Sequence, residues 1–149
     1  MATETERKFL VKGEFKHLAI KKIQITQCYL SIDPDKTIRI RIADNNAYLT
    51  IKSRLSKNLI ARNEWEFPVA LSDANEMMQI CLPGKIVKTR YFVPAGDHTF
   101  EVDVFHDKNE GLLIAEVELS DENEQFKRPD WLGDEVTGDP RYYNANLIK

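Results

Sequence analysis

In the stretch TETERKFLV, Glu4, Glu6 and Lys8 stand on alternate positions, with Phe9 and Val11 on the other parity. In an extended strand that spacing sets two acids and a base about 6 to 7 Å apart on one face and leaves the other face apolar. The pattern returns along the chain as Arg39 and Arg41, Lys52 and Arg54, Arg62, Glu64 and Glu66, Lys88 and Arg90, Glu101 and Asp103, and Glu116 and Glu118. On any one strand a charged parity reads as the wet face of an antiparallel sheet. Collectively the signs are segregated: acids repeat with acids and bases with bases. Two like charges near 7 Å repel by about 0.6 kcal/mol in water and roughly 2.4 kcal/mol at an effective dielectric of 20, so repeating the arrangement requires something that offsets it. Clustered carboxylates are the hard-oxygen ligands of Mg2+ or Mn2+, and clustered Arg and Lys suit a multiply charged phosphate chain. A tunnel with acids on one wall and bases on the other holds both, which turns the charged face inward.

Such a site needs no Ser, Cys or His nucleophile. Hydrolysis of a phosphoanhydride is mostly positioning and electrostatic neutralisation. The chain contains no HExxH, GxSxG, Walker-type phosphate loop or GxGxxG, which removes the usual zincin, hydrolase and mononucleotide-fold routes. His17, His98 and His106 are scattered, and Cys28 and Cys81 are spaced neither as a metal motif nor as a disulfide framework, so both read as small buried side chains. A net charge of −3 gives no global basic field, and no nucleic-acid partner is expected. At 149 residues, 42% hydrophobic and 30% charged, the chain is expected to form one domain over residues 1–149. No apolar run approaches a membrane span and no leader pattern is evident, so a soluble protein of the cytoplasm is expected, with no membrane partner.

Positioning these residues falls to short strands. Period-2 alternation runs through TETERKFLV, IQITQCYLS, TIRIRIA, AYLTIKSR, ARNEWEFPV, KIVKTRYFV, TFEVDVF and LLIAEVELS, separated by turn clusters such as DPD, DNN, PAGD and DKNEG. Between the fifth and sixth, LSDANEMMQICLPGK reads as a helix with Ser72 as N-cap and Pro83-Gly84 as its stop. Shorter helical pieces are expected at EFKHLAI and DENEQF, and a helix start at Pro140 with Tyr143 and Leu147 in i, i+4 register. The fold expected is mainly β (α+β), an eight-stranded antiparallel β-barrel closed or nearly closed, with a few short helices outside. Its apolar outer face, including Trp65, Phe67, Val102 and Val104, must pack on helices or on a second copy, which leaves a homodimer open. Trp65 and Trp131 read as outer-face packing.

The pieces ETERK, RIR, TIK, EWEF, KTRY, EVDVF and EVEL, in that order, resemble the CYTH superfamily, the triphosphate tunnel metalloenzymes, whose signature ExExK is met by Glu4 to Lys8. The ending WLGDEVTGDPRYYNANL is similar to that of compact bacterial members. The resemblance covers essentially the whole chain and implies an eight-stranded tunnel that hydrolyses inorganic triphosphate, a small-molecule substrate, with Mg2+ or Mn2+, two ions with substrate bound. It implies metal ligation by Glu4, Glu6, Glu116 and Glu118, and assistance with a second metal or the water from Asp103, Glu64 and Glu66. Glu4, Glu6, Lys8, Asp103 and Glu118 form the implied catalytic set. Lys8, Arg39, Arg41, Lys52, Lys85, Lys88 and Arg90 are implied to grip phosphate oxygens. Arg54, Arg62 and Glu101 share the parity and stand between tunnel lining and rim salt bridge, and Tyr29 stands between a polar contact and packing.

Within this fold the alternatives are a CYTH-type adenylyl cyclase and a thiamine triphosphatase. A non-catalytic polyphosphate or nucleotide-binding module belongs to a different class, and the many carboxylates speak against it. A lipocalin-like carrier is disfavoured because its interior is apolar.

Overall fold

The structure, a computed structural model, describes residues 2–54 and 61–149. The alternating segments form β1 (Ala2–Val11), β2 (Lys21–Asp33), β3 (Lys36–Ala43), β4 (Asn46–Arg54), β5 (Ala61–Val69), β6 (Ile86–Ala95), β7 (His98–Phe105) and β8 (Leu113–Glu118). Every pairing between them is antiparallel, in the order β5-β4-β3-β2-β6-β7-β8-β1, and β1 returns to β5 through Ala2↔Glu64 to Thr5↔Ala61, closing the barrel. The eight-stranded expectation holds. A ninth strand, β9 (Leu132–Glu135), adds to the second half of β1 through Phe9↔Glu135 and Val11↔Leu132. It escaped the sequence reading because four residues containing Gly133 carry no usable alternation.

The helical expectations hold in part. The one α-helix among the described residues, α1 (Leu71–Met78), is shorter than its apolar pattern, and Ala70 rather than Ser72 is its N-cap. Residues 14–20 give a single 3-10 turn at Lys16–Leu18, residues 121–126 give no helix, and the tail forms two 3-10 turns, Pro140–Tyr142 and Asn144–Asn146. Pro140 does sit at the start of the first. None of the described helices is long and apolar enough to cross a membrane.

Three apolar clusters set the barrel in place. On the outside of β1, β6, β7 and β8, Phe9, Phe100, Val102 and Val117 pack under Phe15 and Trp131 from the segments flanking the strands. The chain therefore covers Val102 with its own residues, while Phe67 stays 50% exposed. Outside β2, β3 and β4, Cys28, Ile40 and Ala47 meet Ala74 of α1. Cys28 and Cys81 are joined as a disulfide there, Cα atoms 6.0 Å apart. That corrects their reading as separate buried thiols: a pairing over 53 residues depends on where α1 docks, which spacing does not reveal. The third cluster is interior. Ile86, Phe105 and Ile114 continue the inward parity of β6, β7 and β8 and gather with Tyr29 around Ile148 of the tail. The inner face thus changes along the strands from charged to apolar, and the C-terminal residues fill the apolar end.

Candidate active site

The order of strands around the barrel sorts the charges into two arcs. β5, β1, β8 and β7 are consecutive and carry Glu64 and Glu66, Glu4 and Glu6, Glu116 and Glu118, and Glu101 and Asp103. β6, β2, β3 and β4 complete the circle with Lys88 and Arg90, neutral Gln27 and Tyr29, Arg39 and Arg41, and Lys52. Between them lies a cavity of about 320 Å3, within the usual range for a small-molecule site. Glu4, Glu6, Glu64, Glu66, Glu116 and Glu118 line one side, where Lys8 of β1 joins them, and Arg39, Arg41, Lys52 and Arg90 line the other. Arg54, Arg62 and Glu101 line it too, so the two readings of these residues merge: each is a wall residue that also makes an ion pair.

On the acidic arc, β1 and β8 bring Glu6 opposite Glu118 and Lys8 opposite Glu116. Burial, then the charge of Glu6, pushes the Glu116 carboxyl above its ordinary value of 4.5. Glu118 is raised as well, by burial and then by Glu4 and Glu101. No three Asp, Glu, His or Cys side chains among the described residues form a ready ion cage. Mutually repelling hard-oxygen donors are nonetheless the donor set that suits a divalent cation. Glu4 is meanwhile held by Lys52, whose Nζ donates to Oε1 at 2.8 Å and Oε2 at 3.1 Å, and Lys52 also lies 3.6 Å from Glu64.

On the basic arc, Arg39 has a buried Nε with no hydrogen-bond partner, and its nearest carboxylate, Glu66, is 3.9 Å from Nη2. A buried unsatisfied donor costs about 1–3 kcal/mol, so this guanidinium has the capacity to donate to a further acceptor. Arg41 donates through Nε to Gln27 Oε1 at 2.9 Å. Burial, then Arg39 and Arg90, pushes its pKa down to about 9, which leaves it cationic at neutral pH. Arg90 donates to both oxygens of Asp103, at 2.8 and 3.0 Å, and also pairs with Glu101.

Three implied site residues do not line the cavity. Lys88 and Asp103 are buried in the wall, Lys88 Nζ donating to Asp103 Oδ2 at 2.7 Å. Burial pushes the Asp103 carboxyl up, but Arg90 and Lys88 outweigh it and hold the pKa well below the ordinary 3.8; burial draws Lys88 down, against the pull of Asp103. Lys85, just after Gly84, is exposed and lies away from the cavity lining.

The sequence reading missed the tail's contribution. Thr137, Gly138, Tyr143, Asn144 and Asn146 line the cavity. Lys8 Nζ donates to the Tyr142 carbonyl at 3.0 Å and sits 5.7 Å from the Tyr143 ring centroid. Asn144 Oδ1 accepts from Lys88 Nζ at 2.9 Å and Gln27 Nε2 at 3.4 Å. Gln27 also donates to the Tyr29 hydroxyl at 3.0 Å, giving Tyr29 both a polar and a packing role. Gln27 shares the inward parity of Tyr29, a usable signal; Asn144, in an irregular segment, offered none.

Known proteins resemble this chain in sequence and fold. The CYTH domain matches residues 2–144. An inorganic triphosphatase of Acetivibrio thermocellus is 46% identical over 151 residues, covering 100% of this chain and 95% of that protein. Another, of Nitrosomonas europaea, is 33% identical over 150 residues, covering 97% and 96%. The crystal structure of an inorganic triphosphatase superposes with a TM-score of 0.66 at 31% identity, covering 99% of this chain and 95% of that one. The charged tunnel and these likenesses, which span nearly all of its length, agree that the chain belongs to the CYTH domain family.

Proposed function

We propose that this protein hydrolyses inorganic triphosphate inside its tunnel, with Mg2+ or Mn2+ as cofactor and two ions engaged when substrate is bound. One observation carries the reading: a mainly acidic arc and a mainly basic arc face each other across one cavity, with Arg39 Nε unpartnered on the basic side. The names of the two curated relatives supply the substrate. The reading treats residues 1–149 as one tunnel domain acting in the cytoplasm on a small molecule.

Glu4, Glu6, Glu116 and Glu118 would hold the metal, with Glu64 and Glu66 close to a second ion. A divalent cation bound there neutralises phosphoryl oxygens and lowers the pKa of a bound water. Arg39, Arg41, Lys52, Arg90 and Lys8 grip the phosphate chain and spread the charge of the transferring group, which supplies most of the catalysis such a reaction needs. Asp103 acts from within the wall by fixing Arg90, and Lys88 in turn holds Asp103. Glu118 has no cation within ion-pair distance among the described residues and faces the cavity, where it orients the attacking water. Phosphate release from tripolyphosphate with each metal tests the proposal: release that needs a metal and falls at least about a hundredfold in Glu6→Ala is expected, and no release with either metal would sink it.

A further inference from the structure

Arg62 of β5 sits where its charge is out of place. It belongs to the acidic arc, directly opposite Glu4 in the β1–β5 register. Its guanidinium reaches both Glu4 and Glu6, Nη2 lying 3.7 Å from Glu4 Oε1 and 3.6 Å from Glu6 Oε1. The side chain is 38% exposed, whereas Glu4 and Glu6 are 15% and 20% exposed, so the carboxylates are fixed in the wall and the guanidinium reaches in from the open side. No other cation among the described residues is within ion-pair distance of Glu6. Glu4 keeps a second partner in Lys52 at 2.8 Å.

We propose that Arg62 is a cationic placeholder: it neutralises Glu4 and Glu6 while no metal is bound, leaves them when a divalent cation takes the same oxygens, and then turns to the phosphate chain. The assignment rests on the triphosphatase reading for its last step but not for its first two. Geometry favours the exchange. Both contacts exceed 3.5 Å, too long for direct hydrogen bonds, so a cation coordinating the carboxylates displaces a weak partner. The long arginine stem stays anchored on β5 in the wall of the cavity, and a guanidinium released from two carboxylates finds its matching acceptor in phosphate oxygens. One residue then discourages both an empty, self-repelling acidic wall and a substrate arriving before the metal.

The test is Mn2+ binding by the full-length protein without triphosphate, read from the electron paramagnetic resonance of free Mn2+, alongside steady-state kinetics with tripolyphosphate. Arg62→Gln is expected to bind Mn2+ about two- to tenfold tighter, since an exposed pair no longer competes, while KM for tripolyphosphate rises severalfold and kcat changes less. Arg62→Lys should stay near the original Mn2+ affinity. Arg54→Gln removes the same charge from a wall arginine that pairs with Asp35 at 3.5 Å, and should leave Mn2+ affinity within about twofold. Unchanged or weaker Mn2+ binding in Arg62→Gln overturns the proposal, as does equal tightening in Arg54→Gln, which would reveal a diffuse field effect. Tightened Mn2+ binding in a protein that releases no phosphate from tripolyphosphate overturns the hydrolytic reading and leaves the metal exchange standing.

Discussion

Asp103 and Arg90 are register partners across β6 and β7, joined by two hydrogen bonds of 2.8 and 3.0 Å, and the same carboxylate takes Lys88 at 2.7 Å. One anion buried in the wall therefore fixes two cations. Asp103→Ala leaves both without it, and the loss of a buried ion-pair partner costs about 3–5 kcal/mol. Urea denaturation should show that loss, with Asp103→Asn recovering part of it through retained hydrogen bonding.

Arg39 leads to the opposite expectation for stability. Its buried Nε lacks a partner, so Arg39→Met removes an unsatisfied donor and should leave the melting temperature unchanged or raised in the absence of ligand. The same substitution should raise KM for tripolyphosphate by roughly tenfold or more, since a charge-assisted contact is worth about 1.5–3 kcal/mol. A variant that melts lower and binds substrate normally would contradict both halves.

The acidic arc predicts how pH and metal interact. Glu116 and Glu118 are raised above 4.5 in the folded state, so the native protein holds more protons than the unfolded chain just above that value. Stability from these groups then falls as pH rises through that window. Asp103, held well below 3.8, contributes in the other direction: its stabilisation is present above 3.8 and is lost as pH falls through its lowered native value. Without metal, Glu116→Gln should therefore flatten the decline above pH 4.5 and spare the acid limb. Mg2+ or Mn2+ should raise the melting temperature more at pH 7 than at pH 4.5, where protons compete for the same oxygens.

The tail's docking can be tested from a distance. Gly84 has φ +92°, and a Cβ there would lie 2.2 Å from the Ile148 carbonyl oxygen. Gly84→Ala therefore strains the backbone and pushes on the segment that fills the apolar end. A destabilisation of about 1–2 kcal/mol in thermal unfolding is expected, together with faster amide exchange over residues 142–149.

The strands were legible because alternation of charge and apolar bulk is imposed by the barrel wall itself, as Ile38 to Ile42 around Arg39 and Arg41 illustrate. Which charged residues meet was less legible. Lys88 and Asp103 carry the same inward parity as Arg90 and Glu101, and only the cross-strand register, with their depth in the barrel, turns them from ligand contacts into wall supports. Asn144 and Tyr143 had no periodicity to betray them, since their positions follow from Ile148 docking in the barrel rather than from any local preference.

The closure of the barrel through β1 also has a temporal side. β1 leaves the ribosome ahead of β2 to β9, yet its partners are β5, β8 and β9, the last ending at Glu135. Glu4 meets β5 first, whereas Glu6 and Lys8 wait for β8, and the seam that joins them to Glu118 and Glu116 is made by contacts of very long sequence separation. Assembly of the tunnel and completion of the fold are then one event, so a chain cut short before β8 would leave Glu6 and Lys8 of β1 without strand partners rather than give a weakened enzyme.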